Sequence, residues 1–159
     1  MILSTNDILY RIKKALHLSH EEILKAFALE GYEMTPEHLK SLLKRRYDKG
    51  FKPCSFEALG VFLDGFVTLK RGPSDQKPSE DEVLELTNNL ILKKLRVALN
   101  LKEYELKILF ALADVELSKQ QLSGLFRKEH HKNFKPCSNE LLDRFLEGLE
   151  EFYYRGEEA

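Results

Sequence analysis

Shifted by 83 residues, the chain lies on itself without a gap. Asn6, Ile8 and Leu9 fall on Asn89, Ile91 and Leu92; Ala15, Leu16 and Leu18 fall on Ala98, Leu99 and Leu101. Phe27-Ala28-Leu29 falls on Phe110-Ala111-Leu112, and Leu39 and Leu42 fall on Leu122 and Leu125. The run Phe51-Lys52-Pro53-Cys54-Ser55 returns as Phe134-Lys135-Pro136-Cys137-Ser138, followed by Phe62, Leu63 and Gly65 on Phe145, Leu146 and Gly148. From Asn6 to Phe66, 24 of 61 positions are identical to their partners, where ordinary composition gives roughly four by chance. A solenoid needs about three or more copies to bury a continuous core, so two copies mean duplication of one small domain. Each half, at about 75 residues, is near the lower limit for folding on a core of its own. The two halves are therefore expected to lean on each other.

Each copy reads as four helices. Ile8, Leu9, Ile12 and Leu16 mark one helical face, with Lys13 and Lys14 opposite. Ser19 with Glu22 makes a capping box for a second helix carrying Ile23 and Phe27, and Gly31 supplies the positive φ that ends it. Thr35-Pro36 opens a third helix, whose core side is Leu39, Leu42 and Leu43. Pro53 and Ser55 open a fourth, with Leu59, Phe62, Leu63 and Phe66 at helical spacing. In the second copy Ser118 and Gln121 form the box that replaces Thr35-Pro36. The equivalent positions Leu16, Phe27, Leu39, Phe62 and Leu99, Phe110, Leu122, Phe145 are expected in the core. Strand alternation does not persist beyond a few residues. The expected fold is all-α: two tandem four-helix repeats with helix-turn-helix-like hairpins, packed about a pseudo-two-fold.

Gly72-Pro73 and Pro78 punctuate the connector, and Ser79 with Glu82 resembles another capping box, so the fifth helix is expected to begin near Glu80 and run to about Asn100. This divides the chain into a first repeat at 1–72, a linker at 73–79 and a second repeat at 80–159. Net charge is −1 with 32% charged residues, so no bulk attraction to nucleic acid or membrane is expected. No segment has the ~18 consecutive apolar residues of a membrane span. Met1 to Leu18 has neither the apolar region nor the small-residue cleavage site of a signal peptide. Two cysteines are too few for a disulfide framework. Cytoplasm is the expected compartment.

The duplicated domain opens Asn-x-Ile-Leu with Ala-Leu-x-Leu following, carries Phe110 to Ser118 as Phe-Ala-Leu-Ala-Asp-Val-Glu-Leu-Ser, and repeats a Lys-Pro-Cys-Ser turn. In these features it resembles the uncharacterised bacterial YehS-like family, a domain of unknown function that occurs as two copies per chain. The resemblance covers nearly the whole chain. It implies a small cytoplasmic bacterial protein and brings no catalytic residues with it.

The second and third helices of each copy look like a helix-turn-helix, which needs a capped second helix held by apolar positions four and seven after the cap. Thr35/Leu39/Leu42 and Ser118/Leu122/Leu125 meet that spacing. The exposed side of the third helix and the segment after it are basic: Lys40, Lys44, Arg45, Arg46, Lys49 and Lys52 in the first copy, Lys119, Arg127, Lys128, Lys132 and Lys135 in the second. Such clusters can neutralise phosphates. Against the motif stand a turn about two residues too long and Phe27 and Phe110 where a small residue is wanted.

Cys54 and Cys137 precede expected helix starts, where unpaired amides favour a thiolate. A nucleophile needs a base, however, and His130 and His131 have Tyr47 and Asp48 as counterparts in the first copy. A small half-buried side chain at a turn is the favoured reading, with the two thiols unbridged. His130, His131 and Cys137 lack the paired spacing of a zinc site, the eight glycines form no phosphate loop, and the paired carboxylates sit on solvated helix ends. No catalytic residue, metal, cofactor or small-molecule substrate is expected. Phe152, Tyr153 and Tyr154 form an aromatic tail for packing on the body or on a partner chain. The residues favour a non-enzymatic binding or regulatory module for DNA or RNA, in which the third and seventh helices enter the groove. The alternative is a protein-partner or self-association module.

Overall fold

Helices form where a cap precedes an apolar run of 3.6-residue period. The computed structural model describes residues 3–73, 85–154 and 156, and every regular element among them is helical. The first repeat holds α1 (Thr5–Leu16), α2 (His20–Leu29), α3 (Pro36–Leu43) and α4 (Phe56–Arg71). The second holds α5 (Asn88–Leu99), α6 (Glu103–Leu112), α7 (Lys119–Gly124) and α8 (Asn139–Phe152). Ser19, Thr35, Ser55, Ser118 and Ser138 all cap their helices through the side-chain oxygen, the boxes at Ser19/Glu22 and Ser118/Gln121 included. Helix ends repeat as faithfully. Gly31 and its counterpart Asp114 both take the left-handed conformation, φ 71° and 61°, and the next amide closes on the carbonyl of Phe27 or Phe110, a Schellman ending.

Two expectations need correcting. The helix expected to run to about Asn100 starts at Asn88: Thr87, in an extended conformation, caps α5 by accepting from the Leu90 amide, and residues 85–87 before it are non-helical. The Ser79/Glu82 box and the linker at 74–79 lie outside the described residues. Leu16 and Leu99 are half-buried rather than core. Ile8, Ile12 and Ala15 form the inward line of α1, and the residue after Ala15 is turned ~100° away from it.

Packing shows how the halves depend on each other. Within each repeat the fourth helix lies closely on the second, α4 on α2 and α8 on α6. Gly65 and Gly148 permit this: a Cβ on Gly65 would stand 1.8 Å from the Ala26 carbonyl oxygen, and one on Gly148 2.0 Å from that of Leu109. The other two extensive contacts cross between repeats, α1 with α8 and α4 with α5, whereas α1 barely meets its own α4 and α5 its own α8. A single core results, with Phe27, Phe62, Phe66, Phe110 and Phe145 fully buried in it. Ion pairs bracket both cross-contacts. Arg11 pairs with Asp143 and Lys14 with Glu150 at 3.2 Å, while Lys94, the counterpart of Arg11, pairs with Asp64. The aromatic tail also serves this seam: Phe152 and Tyr153 pack against the core, and the His17 ring meets the Tyr153 carbonyl at 2.9 Å.

Candidate nucleic-acid interface

Of the basic residues expected on the third and seventh helices and the segments after them, most stand in those segments. α3 ends at Leu43 and α7, six residues long, at Gly124. Lys40 and Lys119 lie on the helices; Lys44, Arg45, Arg46, Lys49 and Lys52, and Arg127, Lys128, Lys132 and Lys135, belong to the loops after them. All are exposed except Lys135, which is half-buried. The positions from which a recognition helix reads bases are its N-terminal ones. In α3 these are Pro36, Glu37 and His38, and an acidic residue there repels phosphate. Six residues, 30–35, separate α2 from α3, against three or four in the tight turn of the motif. α7 opens instead on Lys119, Gln120 and Gln121 but is only six residues long. Most of the basic residues lie in the two loops that follow α3 and α7.

Both loops are held in the same shape. In the first, the Asp48 amide donates to the Arg45 carbonyl (2.9 Å), Phe51 to Asp48 (3.2 Å) and Lys52 to Ser41 (3.2 Å). In the second, His131 donates to Lys128 (2.9 Å), Phe134 to His131 (3.0 Å) and Lys135 to Gly124 (2.9 Å). Each loop is buckled to the body by one asparagine. The Asn6 amide group donates to the carbonyls of Leu42 and Lys52 and its oxygen accepts from the Cys54 amide, each at 2.9 Å. Asn89 does the same for Leu125, Lys135 and Cys137. The repeat singles out these asparagines, but nothing local in the sequence says which three backbone groups they tie.

The cysteines belong to this buckle. Both are buried and unbridged, and burial pushes the Cys54 thiol up to about 11 and the Cys137 thiol up to about 12. Ready thiolates would require the opposite shift, and both side chains lie deeper than the half-buried turn position expected of them. Among the described residues no cluster of three His, Cys, Asp or Glu side chains is arranged to hold a metal.

Electrostatically the loops stand apart from the body. Residues 44–52 carry five Lys/Arg and one Asp, and residues 127–135 four Lys/Arg and one Glu, so the two loops hold +7 and the rest of the chain −8. Tyr47, 93% exposed, sits in the middle of the first loop, with His130 at the equivalent place in the second. The sequence held a signal for Tyr47, an aromatic residue flanked by Arg45, Arg46 and Lys49. In the first loop Asp48 accepts from the Arg45 amide (3.0 Å) and from its guanidinium (3.4 Å). That amide above all, with the guanidinium behind it, keeps the Asp48 carboxyl below the usual carboxylate range.

Fold and site together define a duplicated all-α protein with one shared core and a pair of rigid basic loops. The family described as "Protein of unknown function (DUF1456)" matches twice, at residues 5–72 and 88–156, and the chain belongs to it. It is 30% identical to "Uncharacterized protein YehS" of Escherichia coli (strain K12) over 145 residues, 91% of this chain and 93% of the relative. No solved structure matches it. No described helix is long and apolar enough to cross a membrane.

Proposed function

We propose that the chain is a non-enzymatic nucleic-acid-binding module that holds the phosphate backbone with its two basic loops. The observation that carries this reading is the segregation of charge, +7 in loops 44–52 and 127–135 against −8 elsewhere. Cations gathered in that way attract a polyanion although the whole molecule is nearly neutral. Tyr47 adds a ring on which an unpaired base can stack, and stacking of this kind contributes ~1–3 kcal/mol per base. Single strands, or duplex ends with accessible bases, fit this arrangement better than a major groove.

Titration at low salt with single-stranded and duplex oligonucleotides tests the reading. Affinity should fall steeply with salt, and replacing Lys44, Arg45 and Arg46 together by Ala should weaken binding and flatten the slope without unfolding, since all three are exposed. Tyr47→Ala should weaken single-strand binding about fivefold or more while leaving the salt slope unchanged. No binding at tens of micromolar protein sinks the proposal.

One observation favours the protein-partner alternative. Tyr104, Ile108 and Leu112 lie at i, i+4 and i+8 of α6, and all three are exposed. Their counterparts in α2 are Glu21, Lys25 and Leu29, so the apolar stripe is peculiar to the second repeat.

A further inference from the structure

The two basic loops have the same backbone but different charge chemistry. In the second repeat an open cleft of about 450 Å³ lies between α5 and the end of α7, lined by Arg96, Ser123, Phe126, Arg127, Lys128 and His131. Three of those six side chains are cationic, His131 adds an imidazole, and none is a carboxylate. Arg96 is already oriented. Its Nε donates to the Leu101 carbonyl at 3.1 Å and its guanidinium lies 4.7 Å over the Phe126 ring, which fixes the fork while leaving both terminal nitrogens without a described protein acceptor. The His131 Nδ1 accepts from the Asn133 amide at 3.0 Å, so the ring proton sits on Nε2 and that nitrogen is a donor. Arg127 and Lys128 form no ion pair with any described residue.

Eighty-three residues earlier the same place holds Lys13, Lys40, Leu43, Lys44, Arg45 and Asp48. There the loop supplies its own anion. Asp48 accepts from the Arg45 amide and guanidinium, and the Lys44 ammonium donates to the Lys49 carbonyl at 2.8 Å. Lysine has replaced the oriented arginine, and leucine the ring beneath it. His131 occupies the position of Asp48, so the carboxylate that faces Arg45 in the first repeat has no counterpart at that place in the second, whose own loop carboxylate, Glu129, does not line the cleft.

We infer that the cleft of the second repeat binds a phosphate group through Arg96, Arg127, Lys128 and His131, and that Asp48 keeps the equivalent place of the first repeat from forming such a cleft site, leaving its outward cations to weaker backbone contacts. A phosphate, free or in a nucleic-acid backbone, offers the several acceptor oxygens that a rigid arginine fork with lysine and imidazole donors can share. The inference deepens the reading of the loops as phosphate-binding and assigns the main contact to one of them.

The test uses the full chain, ¹⁵N-labelled, in low-salt buffer without phosphate, titrated separately with inorganic phosphate and with oligothymidylate. Inorganic phosphate should move the amides of residues 123–131 and Arg96 and leave residues 40–48 in place. Arg96→Gln and His131→Asp should each weaken this response at least tenfold. Asp48→His should create a response at residues 40–48. The exchanges at 48 and 131 place in each loop the residue its counterpart already carries, and an otherwise superimposable amide spectrum verifies the fold. Equal responses from both repeats, no response in the cleft to inorganic phosphate, or an indifferent His131→Asp would overturn the inference. Saturable phosphate binding without oligothymidylate binding would support the cleft and refute the nucleic-acid reading. Oligothymidylate binding that ignores His131→Asp would do the reverse.

Discussion

Two glycines of α4 should respond to the same substitution with opposite sign. A Cβ on Gly65 would lie 1.8 Å from the Ala26 carbonyl oxygen and 2.5 Å from its carbon, backbone atoms that cannot rotate away. On Gly60, five residues earlier in the same helix, it would meet nothing within 4 Å. Gly60→Ala should therefore stabilise the protein by about 1 kcal/mol, the ordinary helix-propensity gain. Gly65→Ala gains the same propensity but must part α2 from α4 by about 1 Å or more, against overpacking costs of about 1–3 kcal/mol in ordinary cores. Opening that seam also strips contact between Phe27 of α2 and Phe62 of α4, whose ring centroids stand 5.9 Å apart. A gap of that width forfeits a quarter to a half of each dispersion contact. The net loss should be about 3 kcal/mol, or roughly 6–12 °C in Tm for a chain of this size. Thermal and urea unfolding followed by helical circular dichroism would measure both variants. If Gly65→Ala matched Gly60→Ala within ~0.5 kcal/mol, the close approach of α2 and α4 would be wrong.

The remaining predictions concern the buckles and the turns. Asn6→Ala removes three hydrogen bonds and leaves the Cys54 amide and two carbonyls without it, for a loss of about 3 kcal/mol in urea unfolding; an unchanged midpoint would refute the buckle. Both cysteines should resist iodoacetamide at neutral pH in the folded chain and react once urea exposes them, whereas rapid native labelling would contradict their burial. A thiol whose pKa rises on folding keeps its proton where the unfolded chain has lost it, so this contribution is full below about pH 9 and fades as pH climbs toward 11. Replacing both cysteines by Ala should flatten that alkaline decline in stability. Asp114→Gly should raise stability by ~0.5–1 kcal/mol, because position 114 is left-handed at φ 61° as Gly31 is at 71°; a loss would show that the Asp side chain does more than tolerate the turn.

Caps and helix faces were legible in the sequence because they are local. Ser19, Thr35, Ser55 and Ser118 each act within three residues of themselves. Partner choice between helices was not legible, and the repeat is the reason. When α1 and α5 carry the same pattern, and α4 and α8 another, the pattern cannot say whether α1 packs on α4 or on α8. Arg11 shows how the structure decides: it reaches Asp143, whose counterpart in its own repeat is Gly60. How the basic residues divide between helix and following segment was not legible, because nothing local marks that α3 and α7 stop before the arginines. Arg96 and Phe126 were missed as partners because 30 residues separate them, and only the packing of α5 beside the end of α7 brings the guanidinium over the ring.

The crossed packing of α1 on α8 and α4 on α5 gives the chain the architecture of a homodimer joined into one polypeptide. Severing the connector should leave two fragments that remain assembled, and a fragment expressed alone should seek a second copy of itself to cover α1 and α4. Fusion also frees the halves from identity. In a true homodimer a change such as aspartate to histidine falls on both subunits at once, whereas here one loop can keep a carboxylate facing its arginine while the other holds an imidazole at that place, on a common scaffold that neither change disturbs.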